Sequence, residues 1–84
     1  MPDLTIAERI LRGREAEVRF NDEHLNKVFD SLIEAEMAAI VSADKSNTDD
    51  ILQSKMAIDV IVKVRKILKI QIEDAFLASQ QQED

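Results

Sequence analysis

Cysteine, tryptophan and tyrosine are absent from this chain, and glycine, proline and histidine occur once each. Without cysteine there is no disulfide, no thiolate nucleophile and no thiolate metal ligand. A β fold needs turn residues every several positions. Gly13 and Pro2 alone do not supply them, which leaves the all-α class. A single glycine also excludes a glycine-rich phosphate loop. His24 is the one histidine, and no cluster of His, Cys, Asp or Glu with ligand spacing surrounds it in sequence. A zinc site needs three or four such ligands, and a nucleophile needs a base beside it. His24 therefore reads as a solvated side chain near the start of a helix. The chain is expected to be no enzyme, with no catalytic residue, no bound cofactor and no metal.

Long apolar runs are missing too. The longest, Met37-Ala38-Ala39-Ile40-Val41 and Val60-Ile61-Val62, fall far short of the ~20 residues of a membrane span. With no apolar segment near Met1 and no disulfide requirement, the expected location is the cytoplasm: that of a bacterial host, or a virion, in view of the resemblance below. A net charge of −6 opposes general nucleic-acid binding. What is abundant is the composition of a folded chain: 45% hydrophobic and 33% charged residues over 84 positions. One domain of this size buries roughly 63% of its unfolded surface when compact. A helical hairpin buries less, so its core is marginal unless another copy or a partner covers it.

Helical periodicity organises the chain. Thr5 and Glu8 form a capping box ahead of Ile6, Ile10 and Leu11, and Gly13 is free to end the turn. A short first helix over about 5–12 follows. The charged stretch 14–19 is compatible with helix or irregular chain. Asn21-Asp22 caps a second helix, about 22–42. Leu25, Val28, Phe29, Leu32, Ile33, Ala35, Ala39, Ile40 and Ala43 make its apolar face. The polar stretch 42–50 is a loop in which Asn47 or Thr48 caps a third helix, about 48–78. Asp49 and Asp50 stand in its first turn, where the helix dipole favours carboxylates. The remainder, 79–84, is a polar tail expected to fray.

The third helix carries two apolar stripes. One is Ile58, Ile61, Arg65, Leu68, Ile72 and Phe76; the other is Leu52, Met56, Val60, Ile67, Ile70 and Leu77. Together they cover about 200° of the helix, against roughly 100° for a helix with one buried side. A short loop makes the second and third helices antiparallel neighbours. Folded about Lys45, residue i lies level with residue 91 − i, and the third helix outruns the second by about ten residues. The overshoot is apolar, so Ile67, Ile70, Ile72, Phe76 and Leu77 are the interface candidates, with a homo-oligomer as the expected state.

Two charged residues interrupt apolar faces. Glu36 falls between Leu32 and Phe29 on the helical wheel, level with Ser54 and Lys55, with Arg9 a further candidate partner if the first helix folds back. Arg65 interrupts the main stripe of the third helix, level with Glu23 to Leu25. A buried charge must pair or reach water. Both residues are candidates for a polar lock that sets register, against the plainer reading of side chains at groove edges. The basic run Lys63, Arg65, Lys66 and Lys69 is mixed with Asp59, Glu73 and Asp74, and the cluster Arg9, Arg12, Arg14 and Arg19 with Glu8, Glu15 and Glu17. Without interleaved aromatics, both read as solvated faces.

The layout Ala7-Glu8-Arg9-Ile10-Leu11, Phe20-Asn21-Asp22, Phe29 and Leu32, then a loop and a long final helix, resembles short helical-hairpin phage and prophage proteins found among head-morphogenesis genes. That resemblance implies a setting in virion structure or assembly, with other phage or host proteins as partners. Ile40 and Val41 stand where those sequences often carry an aromatic residue. The end Ile72-Glu73-Asp74-Ala75-Phe76-Leu77-Ala78-Ser79-Gln80 looks like the last helix of helical chorismate mutases. Their uninterrupted first helix and Gly-x-x-Lys segment are not expected here. The leading expectation is thus a phage structural or assembly accessory protein acting through helix-mediated oligomerisation. The alternative is a small acidic adaptor or inhibitor of a host protein.

Overall fold

A computed structural model describes residues 3–82, and among them there are three helices and no strand. Helix α1 spans Ile6–Phe20, α2 spans Glu23–Ser42 and α3 spans Thr48–Gln82. The chain divides into two compact units, Glu23–Val64 and the pair of segments Met1–Asp22 with Arg65–Asp84. Helix α3 contributes one part to each unit.

The capping box at the start of α1 is complete: the Glu8 amide donates to Thr5 Oγ1 at 3.1 Å and the Thr5 amide to Glu8 Oε1 at 3.3 Å. The helix does not stop at Gly13. It runs on through the charged stretch 14–19 to Phe20, with no positive φ at the glycine. The charged residues there are good helix formers and face water, whereas Ala16 between them is buried. The Asn21 amide closes α1 on the Glu17 carbonyl at 3.0 Å.

Gly13 is required by packing rather than by turn chemistry. It faces α3 so closely that an added Cβ would collide with the Cβ of Ala75, lie 2.8 Å from the Gln71 carbonyl oxygen and 3.3 Å from the Ala75 Cα. Ala16 and Ala78 are the buried hydrophobic residues of the unit, at 2% and 0% exposure. Arg9 reaches Gln81, while Gly13 lies against Gln71 and Ala75. The two segments therefore run antiparallel, joined through small residues that let the backbones approach. The overshooting end of α3 is not bare, since α1 covers one side of it. The expected frayed tail is shorter as well: α3 continues to Gln82, and positions 83 and 84 lie outside the described residues.

In the other unit, α2 and the first part of α3 form the expected hairpin. Asp44 Oδ1 accepts from the amide and the hydroxyl of Ser46, both at 3.0 Å, and the Asn47 amide donates to the Asp44 carbonyl at 2.8 Å. Asn47 precedes the first residue of α3, accepts the Ile51 amide at 3.3 Å and donates its side-chain amide to Asp50 at 2.6 Å. The half-buried positions of α2 are Leu25, Asn26, Phe29, Ile33, Glu36 and Ile40, and Ala43 just past its end continues the series. From Asn26 onward they alternate in steps of three and four, which is coiled-coil spacing. On α3 the matching positions are Ile51, Ser54, Ile58 and Ile61. Val28, Leu32, Ala35 and Ala39, expected in the apolar face of α2, are exposed. One neighbouring helix covers a narrower arc than the apolar residues of α2 occupy.

Candidate functional site

One exposed face of α3 is apolar. Leu52, Met56, Val60, Ile67, Ile70 and Leu77 of α3 are exposed at between 51 and 59%. These six form the second stripe read from the sequence, and every one of them faces solvent. The first stripe is the one α3 buries, with Ile58, Ile61, Arg65, Leu68 and Ile72 half-buried. Phe76, expected in that stripe, is 63% exposed, and Ala75 holds the seam position instead. A helix with two stripes has turned one inward in each unit and left the other outward. Of the five interface candidates, Ile67, Ile70, Phe76 and Leu77 are therefore exposed, while Ile72 lies half-buried in the inward seam of α3.

A charged node anchors α1 beside this surface. Arg9 clamps Asp74 through two nitrogens: Nη2 to Oδ1 at 2.7 Å, and Nε to Oδ2 at 3.0 Å and to Oδ1 at 3.2 Å. Arg12 Nη2 adds a bond to Oδ2 at 3.1 Å, and Arg9 Nη1 also donates to Gln81 Oε1 at 3.2 Å. The bidentate fork is the stronger geometry for such a pair. Hydrogen bonds from Arg9 hold the Asp74 carboxyl below its ordinary range against the opposing effect of desolvation, with the charges of Arg9 and Arg12 and the Arg12 bond adding to the lowering. The same bond to Asp74 raises Arg9. The reading of these arginines as merely solvated is thus corrected for Arg9 and Arg12. What marked them in sequence was their spacing: Arg9, Arg12, Gly13 and Ala16 share one face of α1.

No described family model, curated protein or solved structure matches the chain. Its surfaces and clefts therefore carry the functional argument.

Glu36 lies in the seam of α2, half-buried as its wheel position implies. It lines an open polar cleft of about 570 Å³ with Ala39, Ser42, Ala43, Asn47, Asp50, Gln53 and Ser54. Small side chains leave this space, and no lysine or arginine lines it. Arg9, the partner considered for Glu36, is engaged by Asp74 instead. Arg65 is half-buried in the seam of α3 and engaged within the fold. His24 borders a shallow apolar groove with Lys27, Val28, Ser31 and Leu32. Among the described residues no group of three or more His, Cys, Asp or Glu is placed to hold a metal ion. No helix among them is long and apolar enough to cross a membrane.

Proposed function

We propose that this chain is a non-enzymatic structural or assembly accessory protein, of the kind phages encode, that works by helix-mediated self-association. The observation that carries the reading is how little of the chain is buried. Six large apolar side chains of α3, Leu52, Met56, Val60, Ile67, Ile70 and Leu77, are more than half exposed. Among the described residues no large side chain is fully buried, and the buried hydrophobic residues are two alanines. An exposed apolar stripe of this kind marks a contact site. The phage setting is supported by the resemblance of the helix layout, and the assembly role by the exposed stripe of α3.

The net charge of −6 favours the second reading, an acidic adaptor or inhibitor that binds a host protein. Light scattering after gel filtration separates the two. An oligomer of defined subunit number in isolation supports the assembly role. A monodisperse monomer at high concentration contradicts it and leaves the adaptor.

A further inference from the structure

We infer that two copies of α3 pair antiparallel through the face bearing Ile67, Ile70 and Leu77, with Lys66 of each copy set against Glu73 of the other. The inference rests on the self-association reading and gives it a partner and a register. Ile67, Ile70, Asp74 and Leu77 recur at steps of three, four and three, the spacing of a coiled-coil seam. The three apolar members are more than half exposed. Asp74, the polar member, is already held by Arg9 and Arg12 on the side where α1 packs.

Charge selects both direction and register. Lys66 and Glu73 are exposed and lie seven residues apart on one flank of the stripe. Neither has an ion-pair partner among the described residues. An antiparallel pair with its two-fold axis at the level of Leu68 and Lys69 sets Ile67 against Ile70 of the second copy, twice. The same alignment sets Lys66 against Glu73, also twice. Sliding one heptad toward the N-terminus places Lys66 opposite Lys66 and Asp59 opposite Glu73. Sliding one heptad the other way places Glu73 opposite Glu73. Parallel pairing puts Lys66 beside Gln71 and Glu73 beside Ala78, so neither charge is matched. Flanking charges of this kind set partner orientation in coiled coils.

The test is charge reversal, read as a dissociation constant by sedimentation equilibrium, with circular dichroism as the control for helix content. Lys66→Glu and Glu73→Lys each create two like-charge contacts per dimer and should weaken association by about tenfold. The double variant Lys66→Glu with Glu73→Lys exchanges the charges and should return to within about threefold of wild type. Single variants that associate like wild type overturn the register, as does a double variant no tighter than the singles. Rescue of Lys66→Glu by Asp59→Lys in place of Glu73→Lys also overturns it, in favour of a pairing two heptads away. In each of those cases a wild-type oligomer leaves the self-association reading standing. A wild-type monomer ends both.

Discussion

Gly13 shows how one residue decides whether α1 docks. In an isolated helix, Gly→Ala stabilises by about 1 kcal/mol. Here the new methyl group meets the Cβ of Ala75 and the backbone oxygen of Gln71, and overpacking costs about 1–3 kcal/mol. Gly13→Ala should therefore lower the melting temperature, and adding Ala75→Gly should recover part of the loss, since the Gln71 contact remains. A melting temperature raised by Gly13→Ala alone would show that α1 does not sit this close to α3. Asp74 makes the complementary prediction in pH. Its carboxyl is held below the ordinary range, chiefly by hydrogen bonds from Arg9. A depressed folded value means that its contribution is present above the unfolded value of about 3.9 and is lost as pH falls through the folded one. Thermal melts below about pH 4 should lose stability with acidification, and Asp74→Asn should make that slope shallower. Asp44, lowered by the Ser46 amide and hydroxyl, contributes in the same direction and remains in the variant. Equal slopes would mean that the clamp adds nothing. Glu36, in a seam beside an open cleft, should be replaceable: Glu36→Leu should raise stability by about 1 kcal/mol, or about 4–8 °C in melting temperature. An unchanged or lower melting temperature would mark the carboxylate as an engaged part of the seam.

At the scale of elements, α3 is the organising feature, because its two stripes have different fates. Ile67→Asp with Ile70→Asp changes only exposed positions, so helicity by circular dichroism should be retained while the solution mass falls. Ile72→Asp places a charge in the half-buried inward seam and should lower stability by a few kcal/mol. If the two sets behave alike, the division of α3 into inward and outward stripes is mistaken. Both stripes were legible in the sequence because helical spacing survives in the list of apolar residues. Which stripe turns inward was legible only in part: Phe76 lies about 40° past Ile72 on the helical wheel, just outside the seam, whereas Ala75 falls within it. The docking of α1 was hidden for a different reason. Gly13 is equally consistent with a helix stop and with a close helix crossing, and local sequence does not separate the two. With α1 read as ending there, Arg9 and Arg12 had no reason to meet Asp74, about 60 positions away, and the clamp went unseen.

At the scale of the whole molecule, the proposed self-association couples the folded state to the associated one. A chain whose buried hydrophobic residues, among those described, are Ala16 and Ala78 has little to set against the conformational entropy of 84 residues. On the proposed self-association, covering the outward stripe of α3 adds stability to a marginally stable monomer. The most direct measurement is thermal unfolding followed by circular dichroism across a hundredfold range of protein concentration. Coupled folding and association makes the midpoint depend on concentration. For a dimer of this length it should rise by about 4 °C per tenfold increase. A sharp, cooperative transition whose midpoint stays fixed over that range would show that the single chain is stable on its own, and would contradict the account.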